Sequence, residues 1–195
     1  MTEQATDQTS APQRLDVRVG SATDALTPFS TARRSLAAGW SEWLALLAVV
    51  AAAVAADQLT KHIVSTELAV GEKGAALGPF SIHHVQNSGI AFGFFSGATS
   101  IVTLLTAVAI GWMLVFFARS GSRHPVLPVA LGLVIGGSFS NLVDRIRLDH
   151  VTDFLDLLYW PAFNLADTFI VVGVGMLLAA LVVADRASAR GPRPR

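Results

Sequence analysis

Eight polar residues of this sequence have types and spacings that could do chemistry: Asp57, Lys61, Asn141, Asp144, Arg145, Asp153, Asn164 and Asp167. Carboxylates alone can hydrolyse an amide. One carboxylate takes a proton from water, and one carboxylic acid protonates the carbonyl oxygen and then the leaving nitrogen. Two acids within reach of the same water cannot both ionise easily, so they share a proton, and their titration belongs to the pair. On a helix, Asp57 and Lys61 stand i, i+4, as do Asn141 and Arg145, while Asn164 and Asp167 stand i, i+3, so each pair shares a face.

Other chemistries find less support. The chain has no cysteine, which excludes thiolate nucleophiles, disulfides and cysteine-ligated metal sites. Its five histidines show no His-Glu-x-x-His spacing, and His83-His84 reads as a solvated loop pair. Gly136-Gly137-Ser138-Phe139 approximates an intramembrane serine-protease motif, but Phe139 fills the final glycine position. Ser138 therefore reads as a small residue at a helix contact.

The elements that must position these residues are apolar. Of the 195 residues, 52% are hydrophobic and 14% charged, against roughly 25% charged in soluble domains. That balance points to membrane, and the zero net charge gives no sign of nucleic-acid binding. Residues 1–39 read as a disordered N-terminal tail. The first apolar run begins too late for a cleaved signal peptide and fits a signal anchor. Four apolar segments follow, near 40–59, 98–118, 125–143 and 162–184. Each can cross a hydrocarbon core of ~30 Å as a helix. Gly132, Gly136, Gly137, Gly173 and Gly175 would let these helices approach closely.

Basic residues set the expected orientation. Four arginines precede the first segment, Arg119 and Arg123 lie between the second and third, and Arg186, Arg190, Arg193 and Arg195 follow the fourth. Both termini are thus expected in the cytoplasm, with 186–195 as a basic tail. Two loops, 60–97 and 144–161, fall on the other side. The glycine-punctuated stretch 69–95 reads as a hairpin or small sheet. The expected fold is an all-α membrane bundle of four transmembrane helices with a small β-type subdomain at the outer surface, the membrane core spanning 40–185. On this topology the polar residues gather at one depth, the outer ends of the spans, where ionisable groups face a partner or a site.

Five short motifs then carry a resemblance. Asp57-Gln58-Leu59-Thr60-Lys61, Asn87-Ser88-Gly89-Ile90-Ala91-Phe92, Asn141-Leu142-Val143-Asp144-Arg145, Val151-Thr152-Asp153-Phe154 and Phe163-Asn164-Leu165-Ala166-Asp167 occur in order over residues 40–185. In this the chain resembles the lipoprotein signal peptidases, the type II signal peptidases. Ser138 and Ser140 depart from the small residues, often Ala and Gly, that precede the family's asparagine.

The resemblance implies an aspartic endopeptidase that removes the signal peptide from diacylglyceryl-modified prolipoproteins, cutting before the lipidated cysteine. It assigns Asp153 and Asp167 as the catalytic pair, without metal or cofactor. Asp57, Lys61, Asn87, Gly89, Asn141, Asp144, Arg145 and Asn164 are then substrate-binding or supporting residues: the asparagines donate N–H bonds, Arg145 binds a carbonyl or lipid head group or steadies Asp144, and Asp57 bridges the first helix to the outer loop. It also implies contact with membrane lipid and inhibition by the cyclic peptide globomycin. The rival from another class is a proton-coupled transporter with aspartates as relay groups. Against it stand the lack of an ionisable residue at mid-membrane and of an internal repeat. A membrane scaffold would account for the spans and leave the acids unexplained.

Overall fold

Helix length follows from the apolar runs. In the computed structural model, which describes residues 37–88, 99–157 and 159–189, four helices are long and apolar enough to cross a membrane. They are α1 (Trp40–Glu67), α2 (Thr99–Ser120), α3 (Leu127–Leu148) and α4 (Leu165–Ala189). The expected tail 1–39 falls almost wholly outside the described residues, and so does Gly89. At 1.5 Å per residue α1 is about 42 Å long, more than the ~30 Å hydrocarbon core. Its last turns, with Gln58, Lys61 and His62, therefore extend toward the sheet rather than stopping near residue 59.

The central helix is α3, which packs against the other three. Two-thirds (67%) of its apolar window is buried, against 11% in α2 and in α4. Three glycines give it this position. A Cβ on Gly132 would meet Val49 of α1, one on Gly136 would meet Ala53 and Val50 of α1, and one on Gly137 would run into the Ala166 carbonyl of α4. Gly173 of α4 in turn abuts the Ala130 carbonyl. Close backbone approach of this kind is how helices associate where lipid is as apolar as leucine. Gly175 departs from the expectation, since nothing lies within 4 Å of its would-be Cβ.

An apolar core of Leu46, Ile110, Phe117, Leu131, Ile135 and Leu142 ties α1, α2 and α3 together, with Trp43 edge-on to Phe117 at 5.0 Å. Leu104, Leu105, Val108, Val171 and Leu181 point away from the bundle and are exposed, as lipid-facing side chains should be.

At one end of the bundle sits a four-stranded antiparallel sheet of β1 (Lys73–Leu77), β2 (Phe80–Asn87), β3 (Val151–Leu157) and β4 (Trp160–Phe163), in that order. The glycine-rich stretch supplies β1 and β2 as expected. The stretch 144–161, expected as a loop, instead forms the end of α3 and most of the β3–β4 hairpin. The strand-favouring side chains of Val151, Thr152 and Phe154 fit a strand once β2 offers an edge to pair with. Between α3 and β3 the chain turns within two residues, with Asp149 in the left-handed region (φ 60°) as the helix C-cap. A short polar residue tolerates that conformation better than most.

Candidate active site

Sheet register brings the first acid into place. Asn87 pairs with Val151 and Val85 with Asp153 across β2 and β3. Asn87 and Asp153 are therefore diagonal neighbours on one face, and Asn87 Nδ2 donates to Asp153 Oδ2 at 2.9 Å. Asp153 thus stands on a strand, with 2% of its surface exposed. Burial pushes its pKa up to about 6, and Asp167 pushes in the same direction, while the bonds from Asn87 and Asn164 hold it back. Asp156, three residues on, shows the opposite case: it faces solvent, and the hydrogen bond from Lys73 keeps its pKa below the ordinary value.

A helix start fixes the second acid. Asn164 is the residue just before α4. Its Oδ1 accepts the Asp167 backbone N–H at 2.9 Å, and Asp167 Oδ2 accepts the Asn164 backbone N–H at 3.2 Å. This is a reciprocal capping box, with Asn and Asp in the roles usually held by Ser or Thr and Glu. The i, i+3 spacing noted in the sequence therefore describes a cap rather than one face of a continuing helix.

Asn164 also joins the two acids. Its Nδ2 donates to Asp153 Oδ1 at 2.7 Å and to Asn141 Oδ1 at 3.1 Å, and Asn141 Nδ2 donates to Asp167 Oδ1 at 2.8 Å. The chain Asp153–Asn164–Asn141–Asp167 draws on β3, the cap of α4, and α3. Both amide protons of Asn164 and one of Asn141 point at an oxygen, which also fixes which way both asparagine side chains face.

Behind this chain lies a buried ion network. Lys61 Nζ contacts Asp57 Oδ2 at 2.7 Å, Asp144 Oδ2 at 2.8 Å and Asn141 Oδ1 at 2.8 Å. Three acceptors match the three protons of the ammonium. Asp57 is fully buried and reaches α4 directly, accepting the Ala166 N–H on Oδ1 at 2.8 Å. A carboxylate from α1 thus satisfies one of the free N–H groups at the start of α4 and suits its positive dipole end. The expectation that Asp57 bridges α1 to an outer loop is corrected to this: among the described residues, its partners lie on α1, α3 and α4.

Arg145 departs from one of its three expected roles, the steadying of Asp144. It neighbours Asp144 in sequence but does not bond it. Its Nη1 donates to the Asn141 carbonyl at 3.4 Å, and its charge faces Asp167, Asp153 and Asp144. The bonds on Asp144 come instead from Lys61, from Gln58 Nε2 at 2.7 Å, and at 3.5 Å from the Thr152 N–H. Nor is His83-His84 a solvated pair. His84 is buried with Nδ1 against the Leu68 carbonyl at 2.8 Å, and His83 sits 3.3 Å from Asp156.

Two contributors escaped the sequence reading. Ser140 Oγ donates to Asp57 Oδ2 at 2.7 Å and accepts from Gln58 Nε2 at 3.0 Å. Helical spacing held the signal, because Gln58 is i, i+3 to Lys61 and Ser140 is i, i+4 to Asp144. The serine that departs from the family's small residue has become a member of the network. Among the described residues, no buried side-chain nitrogen or oxygen is left without a partner, a requirement for a polar cluster in a dry interior.

Comparison with known proteins agrees with this arrangement. The family described as signal peptidase (SPase) II matches residues 49–183. A lipoprotein signal peptidase of Symbiobacterium thermophilum is 42% identical over 147 residues, which is 72% of this chain and 95% of that protein. The one from Pelotomaculum thermopropionicum is 39% identical, over 70% of this chain and 91% of its own length. Two solved bacterial membrane enzymes share the fold. One, solved by the in meso method at 2.3 Å resolution, has a TM-score of 0.69 and 24% identity over 77% of this chain and 93% of that one. The other, at 1.9 Å resolution, has a TM-score of 0.65 and 27% identity over 70% of this chain and 91% of that one. With its four apolar helices, its small sheet and these relatives, the chain is a multi-pass membrane peptidase and belongs to the signal peptidase II family.

Proposed function

We propose that Asp153 and Asp167 are the catalytic pair with which this signal peptidase removes signal peptides from prolipoproteins. One observation carries the reading: a single residue, Asn164, bonds both acids, through its side chain to Asp153 and its backbone N–H to Asp167. Residues far apart in role, a strand acid and a helix-cap acid, are thereby held in one orientation.

In this reading the ionised member of the pair takes a proton from water, which attacks the scissile carbonyl carbon. The protonated member donates to the carbonyl oxygen, and collapse of the tetrahedral intermediate passes a proton to the leaving nitrogen. With its pKa raised to about 6, Asp153 brings the titration of the pair closer to neutral pH than that of a free carboxyl. Asn87 and Asn141 orient one acid each. Arg145, whose charge faces both acids, offsets negative charge that develops on the carbonyl oxygen. The Asp57–Lys61–Asp144 network holds α1, α3 and the start of α4 in register behind the pair.

The substrate in this account carries a diacylglyceryl group on the cysteine after the scissile bond. A site where the spans meet the sheet lets acyl chains stay in lipid while the peptide reaches water. Basic residues in the two tails and at Arg119 and Arg123 favour cytoplasmic termini and an outward-facing site, and globomycin would occupy that site. The test is mass spectrometry of the products from a diacylated prolipoprotein and its unmodified form in detergent. A new N-terminus at the lipidated cysteine, formed from the diacylated form alone, supports the reading; equal cleavage of the unmodified form contradicts the substrate assignment.

A further inference from the structure

A polar cavity of about 420 Å³ opens beside the ion network between the ends of α1 and α3 and the sheet. Its wall includes His62, His84, His150, Arg147, Ser65 and Gln86, and neither Asp153 nor Asp167 is among its lining residues. The wall carries the Arg147 guanidinium with its five N–H groups and the imidazoles of His62 and His150, while Ser65 Oγ already donates to the His62 carbonyl and His84 Nδ1 to the Leu68 carbonyl. Asp144 is the one carboxylate among the lining residues, and Lys61 and Gln58 already bond its two oxygens. Arg147 sits in the last turn of α3 and forms no ion pair with any described residue. Next to it, Ile146 and Leu148 are exposed at the end of a membrane-length helix.

A guanidinium without an ion-pair partner, in a cavity whose one carboxylate is already bonded, suits an anionic acceptor, and a phosphodiester is one: its oxygens carry a negative charge and no proton. From this we propose that the cavity binds a phosphate group, as the head group of an anionic membrane phospholipid whose acyl chains lie along Ile146 and Leu148. The site is separate from the proposed catalytic pair and does not depend on its assignment.

The experiment titrates the purified full-length protein, in a neutral detergent, with dihexanoyl phosphatidylglycerol, with inorganic phosphate and with phosphate-free dihexanoylglycerol, by calorimetry. Saturable binding of the phosphatidylglycerol is expected, weakened at least tenfold in Arg147→Glu. His150→Ala should weaken it by a smaller factor. Equally tight binding of inorganic phosphate would keep the phosphate site and assign it to free phosphate rather than lipid. Equal binding of the phosphate-free lipid, no saturable binding by any probe, or full affinity in a folded Arg147→Glu variant would overturn the proposal. Unchanged thermal unfolding of Arg147→Glu, expected for an exposed side chain, serves as the folding control.

Discussion

Asn164 and Asp167 cap one another at the start of α4, each accepting the other's backbone N–H, at 2.9 and 3.2 Å. The acid proposed to act on substrate is therefore also the third residue of its own helix. Its orientation is set by the backbone rather than by a free rotamer. The remaining hydrogen-bonding capacity of Asn164, its amide, is directed at Asp153 and Asn141.

This dual use separates two roles of Asn164. Serine is as good an N-cap as asparagine, whereas alanine in that position costs about 1 kcal/mol. Asn164→Ser should therefore be more stable than Asn164→Ala by about 1 kcal/mol. Both lose the amide bond to an acid, worth about 1.5–3 kcal/mol, so both should cleave roughly tenfold to a hundredfold more slowly. Full activity in Asn164→Ser, measured by initial rates of prolipoprotein cleavage, would make the residue a cap only.

Asp153 predicts how stability depends on pH. Its pKa lies at about 6 in the folded chain against 3.8 as the ordinary value, so the folded state holds the proton more tightly. The resulting stabilisation is complete below the ordinary value and is lost as pH rises through about 6. A difference of about two units corresponds to roughly 3 kcal/mol. Denaturant unfolding at pH 4.5 and 7.5 should show the wild type losing stability over this range, with a shallower loss in Asp153→Asn. An identical slope in the two proteins would contradict the shift.

The bond from Asn87 favours the ionised form of Asp153. Removing it in Asn87→Ala should raise the Asp153 pKa further. The alkaline limb of kcat/KM against pH should then move to higher pH. A limb that stays in place, or moves down, would show that Asn87 does not act on the group that titrates.

Lys61 neutralises two buried carboxylates, Asp57 and Asp144. Lys61→Met would leave both without a cation, and breaking a buried pair in this way costs about 3–5 kcal/mol. The variant should unfold at much lower denaturant, and adding Asp57→Asn should recover part of the loss. Wild-type stability in Lys61→Met would mean the network is not ionised as drawn.

Gly137 tests the packing that seats the proposed pair. Any Cβ there meets the carbonyl of Ala166, the residue before Asp167. Gly137→Ala should displace the start of α4, destabilise the fold by about 1–3 kcal/mol, and slow cleavage well beyond what Gly175→Ala does. Gly175 faces open space, so its alanine variant should behave as wild type.

Much of this was legible in the sequence because two signals were strong. Apolar runs long enough to span lipid located all four helices, and the glycines of α3 pointed to close contacts. The i, i+4 spacing of Asp57 and Lys61 gave an ion pair the structure contains at 2.7 Å. What stayed hidden depends on contacts between elements. Strand β3 takes its form from pairing with β2, so Val151–Leu157 alone read as loop. That Asp144 bonds Lys61 rather than its neighbour Arg145 depends on which face α3 turns toward α1. The Ala166 N–H was invisible as a partner for Asp57, because no side-chain pattern reports a backbone donor on another helix.

The central claim is tested most directly by the initial rate of cleavage of a diacylated prolipoprotein by purified Asp153→Asn and Asp167→Asn in detergent, with folding verified by circular dichroism. The account predicts that each single variant loses cleavage to the level of the uncatalysed control, because one neutral amide cannot hold or return the shared proton. Wild-type cleavage by either folded variant would contradict the assignment of Asp153 and Asp167 as the catalytic pair.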